Sequence, residues 1–80
     1  MDKRRLLESI KEDLHGKVGS SVHVRAHAGR RKTFEGDGVL EGTYPSIFVV
    51  VIDDGNWQRR VAYSYADVLT KVVEINTLEG

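Results

Sequence analysis

Three consecutive basic residues, Arg30, Arg31 and Lys32, are the side chains whose types and spacing best suit ligand binding in this sequence. Adjacent guanidinium groups bind phosphate or carboxylate through planar pairs of N–H donors. Tyr44 and Arg60 are two further candidates, because aromatic and arginine side chains stack on bases and also anchor protein interfaces. A solvated basic loop that only maintains solubility is an equally good interpretation of the three-residue run.

The same sequence contains few of the residue patterns that catalytic sites and metal sites need. There are no cysteines, which excludes disulfides, thiolate metal ligands and a cysteine nucleophile. His23 and His27 share a strand face, but at about 3.3 Å per residue they lie about 13 Å apart, too far for one zinc ion. Asp53 and Asp54 suit a turn, and residues 16–20 lack the spacing of a phosphate-binding loop. The sequence therefore predicts a protein that is not an enzyme and has no cofactor and no metal.

The charged residues balance overall but are arranged in blocks. Twelve basic and twelve acidic residues give a net charge of zero, which does not favour nucleic acid as a ligand. Every charged residue between positions 14 and 34 is basic, and every one from 35 to 54 is acidic. Opposite charges facing each other across two antiparallel strands stabilise the pair. We therefore expect the blocks to neutralise each other, except at residues 30–32, which lie beyond the reach of the acidic strand.

The first fifteen residues predict a helix. Leu6, Ile10 and Leu14 recur every four positions and form an apolar stripe. Asp2 suits the N-cap, and Gly16 suits the left-handed residue that often ends a helix. A helix of this length is marginal alone, so we expect its stripe to pack on the rest of the protein.

After position 16 the apolar period changes from 3.6 to 2, which predicts strands. Placing His27 opposite Thr33 also sets Arg25 opposite Glu35, so the polar faces of the first two strands match. The apolar faces match in the same register. Two glycines inside the second strand predict a sharp bend.

The second half of the chain predicts another hairpin. Ile47–Ile52 is continuously apolar and is typical of a strand covered on both faces. Asp54–Gly55 predicts a two-residue turn, which would set Ile52 opposite Trp57. Tyr63 and Tyr65 lie on the core-facing side of the next strand, so we expect burial instead of base stacking.

These elements predict a mainly β protein with one N-terminal helix, built as a small five-stranded SH3-like or Sm-like bent barrel. Residues 66–70 predict a single 3₁₀ turn before the last strand. The length allows a single domain over residues 1–80, with the helix at 2–15 and the barrel at 18–76. No stretch is long and apolar enough to cross a membrane and no signal peptide is recognisable, which predicts a cytoplasmic protein.

Three ordered blocks of the sequence carry a family resemblance. They are Gly29–Thr33 (GRRKT), Thr43–Val50 (TYPSIFVV) and Arg60–Thr70 (RVAYSYADVLT). Together they closely resemble the Veg family, small cytoplasmic proteins of Gram-positive bacteria described as stimulators of biofilm formation. Ala62 stands where the family pattern leads us to expect serine, and this chain ends soon after its last predicted strand.

The resemblance implies a regulatory role, in which the protein promotes matrix production by relieving a transcriptional repressor. It implies no enzymatic activity and no cofactor. The protein would then be a small binding adaptor with a protein partner, and a homodimer stays open. The alternative from the residues is a small-barrel nucleic-acid-binding module that uses the hairpin tip at Arg30–Lys32, whose affinity would fall steeply with salt.

Overall fold

A computed structural model describes residues 3–27, 32–53 and 55–78. In chain order its elements are α1 (Lys3–His15), β1 (Ser21–His27), β2 (Thr33–Thr43), β3 (Ile47–Asp53), β4 (Gln58–Ser64), α2 (Tyr65–Leu69) and β5 (Val73–Thr77). The strands form one antiparallel five-stranded sheet in the order β4-β3-β2-β1-β5. The predicted fold class, mainly β with an N-terminal helix, is confirmed. Within the described residues no ladder joins β4 to β5, so the sheet is open and the expected barrel is not closed.

The first hairpin has the predicted register. His27 pairs with Thr33 and Arg25 pairs with Glu35. The buried residues of β1 alternate with these polar ones and point to the other side of the sheet. Two different faces that both match in one register explain why this pairing is well specified.

The two glycines on which the bend in β2 was predicted lie where neighbouring groups approach the strand closely, above all at Gly38. A Cβ atom at this position would lie 2.0 Å from the carbonyl oxygen of Val51 on β3, a distance no side chain can accept. At Gly36 a Cβ atom would lie 3.0 Å from the ring of Phe34. A bulge follows between Leu40 and Gly42. The glycines therefore leave room for the backbone of β3 and for the Phe34 ring beside the middle of β2, and the bend itself stays a prediction.

The predicted register of the second hairpin is wrong by two residues. Ile52 pairs with Arg59 instead of Trp57, and Asp53 at the end of β3 pairs with Gln58 at the start of β4. The Asp53 carboxylate accepts a hydrogen bond from the Gly55 N–H at 2.9 Å, an Asx turn that lengthens the connection. A shift of two residues keeps every side chain on its predicted face.

The core lies on one side of the sheet, called here the inner face. Its buried residues are Leu14, Val22, Val24, Ala26, Leu40, Phe48, Val50, Ile52, Tyr65 and Val73. The prediction that β3 is covered on both faces is wrong. Phe48, Val50 and Ile52 are buried, whereas Val49 and Val51 are half-buried and Ile47 is 38% exposed.

Helix α1 covers one end of the inner face. Leu14 is buried and Ile10 is half-buried against the core, as the apolar stripe predicted, but Leu6 is 36% exposed. Asp2 lies outside the described residues. The positive φ expected at Gly16 occurs instead at Gly19, where φ is 91°. Among the described residues, no helix has the length and apolar character needed to cross a membrane.

The segment predicted as a 3₁₀ turn is instead the one-turn α-helix α2. Ser64 caps it by accepting a hydrogen bond from the Asp67 N–H at 3.1 Å, and the Asp67 carboxylate accepts one from the Ser64 N–H at 3.5 Å. This capping box supplies partners for N–H groups that a single turn leaves open. Lys71 follows with a φ of 64° and turns the chain into β5.

Candidate binding surface

The predicted basic tip is described only in part. Arg30 and Arg31 lie outside the described residues. Lys32 is exposed immediately before β2. The tip therefore stays a prediction, and the described site is built from the other two predicted residues, Tyr44 and Arg60.

Tyr44 occupies the corner between β2 and β3, and its backbone is held by Tyr65. The Tyr65 hydroxyl donates to the Tyr44 carbonyl oxygen at 2.6 Å and accepts from the Tyr44 N–H at 3.2 Å. The same N–H also donates to the Ile47 carbonyl oxygen at 2.8 Å. Tyr65 is only 4% exposed, and burial raises the pKa of its hydroxyl above the usual value. The expectation that Tyr65 is buried is thus confirmed, and its hydroxyl fixes the corner.

The buried tyrosine belongs to an aromatic cluster beneath the corner. Phe48 lies between Tyr63 and Tyr65, with ring centroids 5.9 Å and 5.8 Å away. Tyr63 is half-buried, and burial raises the pKa of its hydroxyl. These rings pack into the core side, so they are not available to stack on a ligand base.

The ring of Tyr44 itself points outward and is 44% exposed. It lies over Gly42, where an added Cβ atom would sit 3.3 Å from the Tyr44 hydroxyl. Gly42 pairs with Val49, whose side chain is on the side of the sheet opposite the core. The corner therefore presents an aromatic ring on that side, called here the outer face.

Arg60 lies on the same outer face and is paired. Its guanidinium group donates to the Glu41 carboxylate at 2.7 Å. The Arg60 side chain is 65% exposed, so the pair is a surface ion pair of small net stabilisation. Arg60 is therefore placed to contact a partner, but its charge already has a carboxylate beside it.

Between Tyr44 and Arg60 the outer face is apolar. We call this region the outer patch, and it consists of Val39, Tyr44, Ile47, Val49, Val51 and Ala62. Val51 pairs with Val39 on one side and with Arg60 on the other, and Val49 pairs with Ala62. Val39 is 42% exposed. The sequence does not indicate this patch, because the continuously apolar run of β3 predicts a second covering layer.

The other part of the outer face is polar, and we call it the charged half. It consists of His23, Arg25, His27, Glu35, Asp37 and Glu74. The His23 ring contacts the Asp37 carboxylate at 2.6 Å through Nδ1 and the Glu35 carboxylate at 3.2 Å through Nε2. These two hydrogen bonds, with Asp37 the stronger cause, raise the pKa of His23 above 6.5.

A groove of about 540 Å³ runs between α1 and the corner. Its lining residues include Leu7, Lys11, Pro45 and Ala66. Within the described ranges, no group of three or more His, Asp or Glu side chains is placed to hold a metal ion. The absence of a metal and of catalysis in the whole protein stays a prediction.

Comparison with known proteins identifies the family. A search of curated proteins found no match. The family model described as "Biofilm formation stimulator VEG" matches residues 5–76. This range includes most of α1, all of β1–β4 and α2, most of β5 and the residues of the outer patch. The chain therefore belongs to the VEG family of biofilm formation stimulators.

Proposed function

We propose that this protein is a non-enzymatic cytoplasmic adaptor that acts in biofilm formation by binding a transcriptional repressor protein through the outer patch. Family membership supports the role in biofilm formation. The observation that carries the binding proposal is the outer patch, an exposed apolar surface on the outer face with Tyr44 at one end and Arg60 at the other.

The composition of the patch favours a protein partner. Tyrosine and arginine are the residues most enriched at the energetic centres of protein interfaces, where apolar neighbours exclude water. Tyr44 is anchored through its backbone, so little conformational entropy is lost when its ring is buried by a partner. The aliphatic side chains of β3 and Val39 provide the apolar surroundings that such an anchor needs.

The charges of the described outer face give less support to nucleic acid. Arg60 is paired with Glu41, and Arg25 lies opposite Glu35 on β2 and Glu74 on β5. A phosphate backbone would have to displace or approach these carboxylates. Nucleic-acid binding depends on cations that release counterions from phosphates, and here Arg25 and Arg60 have acidic neighbours.

The test compares two matched pairs of substitutions in binding and in cells. Tyr44→Ala and Val51→Lys alter the outer patch, at an exposed and a half-buried position, whereas Arg25→Ala and Asp37→Ala alter the charged half at exposed positions. Proteins captured from nuclease-treated lysate by the immobilised chain are identified, and affinity for the purified repressor among them is measured. We expect the patch variants to lose at least tenfold in affinity and to lose biofilm stimulation, and the charged-half variants to keep both.

Two results would contradict this function. Binding that disappears on nuclease treatment and falls steeply with salt would favour the nucleic-acid module, with Arg30, Arg31 and Lys32 as its contacts. Unchanged affinity in folded Tyr44→Ala and Val51→Lys variants would remove the outer patch from the interface.

A further inference from the structure

Strand β5 forms one free edge of the open sheet. In the described part of the chain it pairs only with β1. The pairing continues one residue past each end of the strand: the His27 N–H donates to the Val72 carbonyl oxygen at 2.8 Å, and the Leu78 N–H donates to the Ser21 carbonyl oxygen at 2.8 Å. The extended edge therefore runs from Val72 to Leu78.

The backbone groups of alternate residues on this edge point away from β1. In an antiparallel ladder, the N–H and C=O groups of one residue face the same neighbour, and those of the next residue face the opposite side. The Val72 carbonyl oxygen and the Leu78 N–H bond to β1, so the groups of Val73, Ile75 and Thr77 face outward. The Val72 N–H itself donates to the Asp67 carbonyl oxygen at 2.9 Å. No hydrogen bond from these outward groups occurs within residues 3–27, 32–53 and 55–78. They form a row of unpaired donors and acceptors, which is a template for another strand.

The side chains along the edge are complementary to those of a second, antiparallel copy centred on Ile75. In that register Val72 lies opposite Leu78, Val73 opposite Thr77, and Glu74 opposite Asn76. Val72 and Leu78 are 41% and 46% exposed, so two exposed apolar side chains would cover each other. Val73 and Thr77 are both β-branched, and the Glu74 carboxylate meets an amide. Each of these is a favourable cross-strand pair.

Neighbouring registers are less favourable, which makes the pairing specific. A shift of two residues in one direction places Glu74 opposite Glu74 of the second copy, and like charges directly opposite destabilise a pair. The shift in the other direction places Glu74 opposite the apolar Leu78. A shift by one residue would bring the outward backbone groups out of alignment.

We infer that β5 is a dimerisation edge, at which a second copy of this chain adds its β5 antiparallel and joins the two sheets into one. The contact is isologous, so it closes at two copies and does not propagate into a filament. Ile75 exchanges both N–H···O bonds with its counterpart, and Val73 does so with Thr77 of the second copy. The zero net charge of the chain gives no long-range repulsion between copies. The two outer patches then lie on the same side of the continuous sheet.

The contact is small, and interfaces of limited area typically have low affinity, so we expect a weak dimer. Sedimentation equilibrium at protein concentrations from about 10 µM to about 1 mM covers the expected dissociation constants. Asn76→Lys places an ammonium group opposite the Glu74 carboxylate twice per dimer, and Asn76→Glu places a second carboxylate there. We expect the dissociation constant to fall roughly 2- to 30-fold in the first variant and to rise by a similar factor in the second.

Matched controls are available on the other edge strand. Gln58 is exposed on β4, the strand at the opposite edge of the sheet from β5, and Gln58→Lys and Gln58→Glu change the net charge by the same amount. These variants should associate like the unsubstituted protein. Thr77→Pro removes an N–H that faces the open edge and none that bonds to β1, so it should abolish the dimer while keeping the fold.

Amide hydrogen exchange locates the contact independently of any substitution. The N–H groups of Ile75 and Thr77 should exchange slowly in concentrated protein and rapidly in dilute protein. If Thr77→Pro fails to fold by circular dichroism, the opposite effects of the two Asn76 variants carry the test. A protein that stays monomeric throughout, or a dimer in which the Asn76 and Gln58 variants behave alike, overturns the inference. A monomer whose edge captures an extended peptide from another protein overturns it as well.

Discussion

The charged half and the outer patch lie on the same face of one sheet, but their side chains are satisfied in different ways. In the charged half, each basic group of β1 has carboxylates on the neighbouring strands: His23 contacts Asp37 and Glu35, and His27 contacts Glu74 at 3.4 Å. In the outer patch, apolar side chains from three strands are neighbours in the register of the sheet and remain exposed or half-buried. The basic groups of β1 in the charged half have carboxylates of the same chain beside them. The outer patch has no such compensation, so its burial by a partner would be favourable.

Gly38 lies at the boundary between these two regions. It follows Asp37 of the charged half and precedes Val39 of the outer patch. The backbone of β3 approaches β2 closely at this glycine. The sheet thus presents two chemically different surfaces on one face, with a glycine between them that pairing with β3 requires.

The largest expected effect on the free energy of unfolding comes from a substitution at Gly38. Gly38→Ala places a Cβ atom against the Val51 carbonyl oxygen, so β2 and β3 must move apart. We expect a loss of about 3 kcal/mol in unfolding free energy, at the upper end of overpacking effects. Gly16→Ala is the control, because its Cβ atom would make only ordinary contacts at 3.6 Å. Equal urea midpoints for the two variants would show that the close approach is not needed.

The second prediction concerns the corner that presents Tyr44. Tyr65→Phe removes the hydroxyl that bonds both the N–H and the C=O of Tyr44. We expect a loss of about 1 kcal/mol in unfolding free energy, and weaker partner binding because the ring is less well positioned. Tyr63→Phe is a matched control, since its hydroxyl makes no hydrogen bond within the described residues. A corner that depends only on apolar packing would give the same result for both variants.

The third prediction separates the charged half from the outer patch by pH. The folded pKa of His23 lies above 6.5, so its contribution to stability is fully present below pH 6.5 and is lost as pH rises through the folded pKa. The stability difference between the unsubstituted protein and His23→Gln should therefore be larger at about pH 5.5 than at about pH 8.

A direct titration checks the physical cause. Asp37→Asn removes the stronger of the two hydrogen-bonded carboxylates, so the pKa of His23 measured by NMR should fall toward 6.5. A His23 pKa that does not respond to this substitution would show that the ring is not held between the two strands as described.

The same contrast between the two regions explains what the sequence could predict. In the first hairpin, Arg25 opposite Glu35 and the glycine-containing apolar face distinguish the correct register from its neighbours, so the register was predicted. In the second hairpin, Ile47–Ile52 is apolar at every position, and a shift of two residues matches as well as the true pairing. The Asx turn at Asp53 decided the loop length, and no pattern indicated it.

The sequence predicts two residues of the candidate site, Tyr44 and Arg60, but not the apolar patch that joins them. Tyr44 and Arg60 were chosen as separate ligand contacts, and the structure places them at two ends of one patch. The aliphatic residues between them were assigned to a core, because a continuously apolar strand is usually covered on both faces. No sequence pattern predicts that the sheet is open. Whether β4 pairs with β5 depends on how far the whole sheet curves, which local sequence patterns do not specify.

The smallest expected effect tests whether the outer patch contributes to binding instead of folding. Val39→Thr changes a side chain that is 42% exposed, and threonine suits a strand as well as valine does. We expect a change within about 0.5 kcal/mol in unfolding free energy. Val50→Thr makes the same chemical change at a fully buried position, where an unpaired hydroxyl costs about 1–3 kcal/mol. Affinity for the purified partner should fall in Val39→Thr while its urea midpoint stays unchanged. If Val39→Thr destabilises the protein as much as Val50→Thr does, the outer patch is part of a packed layer and the distinction between the two regions fails.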